Sequence, residues 1–172
     1  FYLDDLEGAV FLVRRALKAA GAQPIYSAFE GQVLFELGRY AESQRVLEHA
    51  VALDPDSAHA LYHSGLVLER IENPDEASRC FARAHALDPH HYPLPEEVSE
   101  VFFQEVMDEA LENLPRSVRE TMQDVPVLVE DFPSSDLVHG EDVSPQILGI
   151  FIGVPRTQAS VTDQMPDLDR II

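Results

Sequence analysis

Small and apolar residues recur at a fixed interval through the first half of the chain. Laid on itself at an offset of 34, the sequence pairs Gly31 with Gly65, Leu34 with Leu68, Leu47 with Phe81, Ala50 with Ala84, Leu53 with Leu87 and Pro55 with Pro89. Chance does not produce that register. Within each unit the apolar positions follow helical spacing, and the prolines mark corners where a helix cannot continue. The pattern predicts helices within 24–57 and again within 58–91. Each glycine lets the helices of its unit approach closely, and Leu47, Phe81, Leu53 and Leu87 face a shared core. Shifting back by the same interval puts Ala16 under Ala50 and Val13 under Leu47, so 4–23 is expected to hold the second helix of an earlier unit.

Beyond Tyr92-Pro93-Leu94-Pro95 the period changes. Val98, Phe102, Val106 and Ala110 stand four apart, with Val101, Met107, Leu111 and Leu114 widening the stripe, which predicts an amphipathic helix over 96–114. Pro115 ends it and opens a short helix over 116–122. Residues 125–132 have the β-branched, bounded character of a strand, 133–145 the Ser, Asp and Pro content of a loop, and 147–155 the look of a buried strand. The final Ile171-Ile172 resembles a strand cut in the middle.

Charge narrows the partners. The net charge is −19, and it is uneven: residues 1–91 hold 8 basic and 14 acidic side chains, residues 92–172 hold 4 and 17. Such a field repels phosphate backbones and anionic lipid, so neither nucleic acid nor membrane is an expected partner. A protein or peptide partner is. No apolar run approaches the roughly 20 residues of a membrane-spanning helix. With Cys80 as the one cysteine, no disulfide forms within the chain; cytoplasmic residence is the expectation.

The 34-residue interval, with Leu37-Gly38-Arg39-Tyr40-Ala41-Glu42 and Val51-Ala52-Leu53-Asp54-Pro55, closely resembles the tetratricopeptide repeat. The resemblance implies an α-helical solenoid over 1–91: a half-repeat at 4–23 and full repeats at 24–57 and 58–91. Arrays of this kind present the first helix of each unit to a concave groove. Here that face implies a partner-binding set of Ile25, Ala28, Gln32 and Phe35, then His59, Tyr62, Leu66 and Glu69. The Lys, Asn and Arg set that clamps a C-terminal carboxylate in some family members is missing. His59 and His63, four apart, have a spacing that two metal-bound imidazoles share, but a polar groove pair is the simpler expectation.

A second resemblance spans roughly 100–172. Phe103 through Leu114-Pro115, then Val125-Pro126-Val127-Leu128-Val129-Glu130-Asp131-Phe132-Pro133, then Leu148-Gly149-Ile150-Phe151-Ile152-Gly153-Val154-Pro155 looks like the first part of a small bacterial family of minimal zincin-like metallopeptidases. It implies that 92–172 form the N-terminal part of an α+β domain whose His-Glu-x-x-His helix binds zinc and activates water. No His-Glu-x-x-His occurs in these 172 residues. No catalytic or metal-ligating residue carries over, and no cofactor is expected in this chain; zinc belongs to a parent protein that supplies the motif beyond Ile172. Leu148, Gly149, Ile150, Phe151 and Ile152 carry over as a candidate substrate cleft, if the strand is a sheet edge. The alternative is a non-enzymatic adaptor, with the zincin-like fold as a degenerate cap or binding surface.

Overall fold

Proline starts two of the helices and serine caps two more, and left-handed residues end the first helix of each repeat. In the computed structural model, α1 covers Leu6–Ala20, α2 Pro24–Glu36, α3 Tyr40–Leu53, α4 Ala58–Arg70, α5 Pro74–Leu87, α6 Glu100–Glu112, α7 Arg116–Met122 and α8 Ser135–Gly140. Two short strands follow, β1 Phe151–Ile152 and β2 Arg170–Ile171. The structure describes residues 5–21, 23–95, 98–122, 127–140, 143–147, 150–152 and 170–171. Pro24 and Pro74 occupy the first turns of α2 and α5, where a missing N–H costs nothing. Ser57 caps α4 by accepting from the Ala60 amide, and Ser99 caps α6 by accepting from Phe102.

The two repeats share one turn geometry. After α2, the Gly38 amide donates to Phe35 and the Arg39 amide to Leu34, with Gly38 at φ +69°. After α4, Glu72 donates to Glu69 and Asn73 to Leu68, with Glu72 at φ 61°. Glu72 stands 34 positions after Gly38, so a side chain has been placed where the motif favours glycine. Left-handed backbone costs an L-residue about 1–2 kcal/mol, partly offset by glycine's greater unfolded-state entropy. Glu72→Gly is therefore expected to raise the unfolding free energy by about 0.5–1 kcal/mol, read as a higher urea midpoint with an unchanged slope.

The chain divides into two units, one of residues 1–95 with 132–146 and the other of 96–131 with 147–172. In the first, α2 packs on α3 and α4 on α5; α1 packs on α2 as α3 does on α4, and α2 also meets α4. Helix α1 thus meets α2 in the way that α3 meets α4. Its Arg14 is hydrogen-bonded to Glu30 of α2 at 2.6 Å. The core holds Phe35, Leu47, Leu66, Val67, Leu68, Ala77 and Phe81, with Ala28, Ala50 and Ala60 closing the helix crossings.

The repeated glycines work by proximity. A Cβ on Gly31 would lie 2.4 Å from Leu47 Cγ, and one on Gly65 would lie 2.5 Å from the Phe81 ring. Leu53 and Leu87 depart from the expected core: they are 44% and 45% exposed. Each step of three residues turns back about 60° on a helix, so Leu53 lies about 120° round α3 from Leu47. The recurrence at 34 preserves their position in the repeat without placing them inside.

In the second unit, α6 is shorter than 96–114 and buries none of its residues. Val101, Phe102, Phe103 and Val106 of the expected stripe are exposed, while Met107 and Leu111 are half-buried. Helix α7 coincides with the expected 116–122. Residues 128–132 are irregular rather than strand, and 125–126 lie outside the described residues. Among the described residues of the expected strand 147–155, Phe151–Ile152 is extended, pairing antiparallel with β2 as Phe151 to Ile171 and Ile152 to Arg170. The stretch expected as loop, 133–145, contains α8, and it lies in the first unit.

Candidate interaction groove

The face formed by α2 and α4 has an open end and a filled end. At the open end Ile25 is 48% exposed and Phe29 is exposed, its ring 5.0 Å from His59. Half-buried Tyr62 stacks 5.2 Å from Tyr92, and the Tyr92 hydroxyl lies 3.3 Å from His59 Nδ1. His63 is buried behind His59, ring centres 4.4 Å apart. Burial, reinforced by the neighbouring His59, pushes His63 down to about 3, and burial lowers His59 as well. Both imidazoles are therefore neutral around pH 7.

At the other end the expected groove residues are covered. Phe35 has no exposed surface and Leu66 lies in the core, which corrects their placement as open contact positions. Gln32 and Glu69 remain half-buried. Phe35 and Leu66 pack with Leu47, Val67, Leu68, Ala77 and Phe81 of the core, and a second set of side chains lies over the helix ends. The Arg70 guanidinium sits 5.6 Å from the Phe35 ring centre and 3.7 Å from that of Phe132. Arg70 also donates to the Pro145 carbonyl at 2.9 Å and lies 3.9 Å from Glu69 Oε2. Burial lowers the Arg70 pKa, while neighbouring Tyr40 and Glu69 favour its charged form. The Ser144 hydroxyl donates to Glu36 at 2.9 Å. Leu137, Val138, Val143 and Pro145 are all buried.

Sequence periodicity missed Phe29, Glu36, Arg70 and Tyr92 as members of this face. Glu36 and Arg70 end their helices 34 apart, a signal present in the repeat register but carrying opposite charges. Tyr92 stands 34 after Ala58, at the first position of a further unit that does not continue as helix. Cys80 is half-buried, and burial raises its thiol pKa, consistent with a packing role.

Of the candidate cleft, Leu148 and Gly149 lie outside the described residues, Ile150 is half-buried, and Phe151 and Ile152 form β1. Among the described residues no group of three or more His, Cys, Asp or Glu converges as a metal would require. With no His-Glu-x-x-His in the sequence, the residues of this chain do not make a zincin metal site. Nor is any helix among the described residues long and apolar enough to cross a membrane.

Comparison with known proteins finds two family matches in the chain. A family model described as TPR repeat matches residues 31–71, and one described as zincin-like metallopeptidase matches residues 122–172. DnaJ homolog subfamily C member 7 of Homo sapiens is 33% identical over 87 residues, which is 51% of this chain and 18% of that protein. The Mus musculus protein of that name gives the same figures. The chain thus spans less than a fifth of the length of these curated relatives. Among solved structures, MamA from Desulfovibrio magneticus RS-1 is similar at a TM-score of 0.46 and 24% identity, over 70% of this chain and 62% of that one. A MamA double mutant gives 0.46 and 24% over 69% and 62%. Residues 31–71 thus match a tetratricopeptide repeat, a fold that generally mediates protein–protein interaction, and residues 122–172 match a zincin-like family.

Proposed function

We propose that the chain is a protein-interaction scaffold whose repeats hold a protein or peptide partner and whose second part belongs to a zinc-dependent metallopeptidase domain completed by residues outside this chain. The observation that carries the scaffold reading is the pair of glycine-centred helix contacts, Gly31 on Leu47 and Gly65 on Phe81, which repeat the same helical hairpin side by side. The match over 122–172 supports the metallopeptidase reading. The groove offers a partner both apolar and polar contacts: Ile25, Phe29, Tyr62 and Tyr92 beside His59 and Gln32. An α+β arrangement around β1 and β2, with 148–152 bordering a substrate cleft, is the architecture this reading requires.

The alternative is a non-enzymatic adaptor in which the zincin-like part serves as a cap or binding surface. The two readings separate on the full-length polypeptide. The enzyme reading expects a His-Glu-x-x-His after residue 172, about one zinc per chain by mass spectrometry, and peptide cleavage that is lost when the motif glutamate becomes glutamine. A full-length protein with neither motif nor bound zinc supports the adaptor.

A further inference from the structure

The segment that fills the groove end comes from the chain itself. Residues 132–146 are flanked on both sides by stretches of the second unit, 96–131 and 147–172, yet they pack with the repeats. Their helix, α8, has 6 residues, too few to hold helical structure without a surface to lie on. That surface is built to receive it. Gly38 is buried, and a Cβ there would lie 2.9 Å from Val138 Cγ1 and 3.0 Å from His139 Cε1, so α8 rests directly on the turn between α2 and α3. Arg70 is clasped between Phe35 of the repeats and Phe132 of the segment, and it holds the Pro145 carbonyl. Glu36 holds Ser144.

These contacts combine side-chain hydrogen bonds to the segment with apolar side chains seated beside them, the combination by which a groove holds a peptide. Tethering supplies the rest: a segment joined to its receptor by the chain binds at a high effective concentration with modest contacts. We propose that residues 132–146 are an in-chain occupant of the groove end. A partner peptide reaches Glu36 and Arg70 only when this segment leaves. Because 132–146 fall within the zincin-like match at 122–172, partner binding at this end releases a piece of that segment from the repeats. The inference rests on the reading of the repeats as a docking scaffold and does not depend on zinc.

The test uses the full chain and a fluorescein-labelled synthetic peptide of residues 131–147. Val138→Asp places a charge against Gly38 and undocks the segment. The labelled peptide is expected to bind this variant at least about tenfold more tightly than wild type, since the tethered competitor is gone. Adding Arg70→Met should return binding to the wild-type level. Equal binding to wild type and V138D overturns the proposal.

Hydrogen exchange keeps the test decisive if V138D folds poorly. Arg70→Met alone should speed exchange in 135–140 by about tenfold or more while α2 and α5 stay protected. Unchanged exchange over 135–140 overturns the in-chain docking and leaves the scaffold standing. Unprotected α2–α5 in wild type would overturn both.

Discussion

Phe81→Ala is expected to lower the unfolding free energy of the repeats by about 3–5 kcal/mol. The ring is nearly inaccessible to solvent, packs edge-on to Tyr62 at 5.4 Å, and lies against Gly65. Removing it forfeits the transfer free energy of an aromatic side chain and leaves a cavity between α4 and α5. Helix backbones already this close cannot collapse to fill it. Loss should appear in urea unfolding followed by far-ultraviolet circular dichroism, as a lower midpoint with a similar slope. The same cavity undercuts the Tyr62 ring, so the open end of the groove should loosen with it. Partner binding is then expected to weaken in step with stability.

The second large effect is on pH dependence. His63 titrates at about 3 when folded because it is buried beside His59, whereas an unfolded imidazole titrates near 6.5. Between those values the unfolded state binds more protons, so stability falls as pH drops below about 6.5. Going from pH 7.5 to 5.0 is expected to cost about 2 kcal/mol at this one site. His59, also lowered by burial, adds in the same direction. Glu69, raised by burial, acts oppositely, so the informative quantity is the difference between wild type and His63→Leu. In that variant the loss across this range should shrink by about 2 kcal/mol. At neutral pH the leucine is tolerated, because an apolar side chain replaces a buried ring whose Nδ1 finds no hydrogen-bond partner among the described residues. Urea unfolding of both proteins at the two pH values measures it.

The repeat was legible in the sequence because its determinants are local and size-specific. Gly31 and Gly65 sit where only a hydrogen fits under Leu47 and Phe81, so period and helix boundaries could be read without knowing any distant contact. Recurrence does not encode direction. Leu53 and Leu87 recur as faithfully as Leu47 and Phe81, yet their place on the helical wheel leaves them half-exposed. The stretch 133–145 was unreadable for another reason. Its Ser, Asp and Pro content is that of a loop, and its helical part, α8, rests on Gly38, 100 positions before Val138, while Arg70 and Glu36 hold Pro145 and Ser144, 75 and 108 positions away. Such contacts leave no periodic trace. The expected groove face is likewise uneven: Ile25 is exposed and Tyr62 half-buried, while Phe35 lies in the core with Leu47 and Phe81.

Everything proposed for the first half rests on helix pairs held together by a large side chain seated over a repeated glycine. The double-mutant cycle of Gly65→Ala with Phe81→Ala tests that contact most directly. Gly65→Ala alone forces a methyl into the Phe81 ring and should cost about 1–3 kcal/mol through overpacking. With the ring already gone, the methyl enters the cavity instead. The combined cost is then predicted to fall short of the sum of the single costs by at least about 1 kcal/mol. Costs that add to within about 0.5 kcal/mol would contradict the account, because Gly65 and Phe81 would then not share the contact on which the repeat is built.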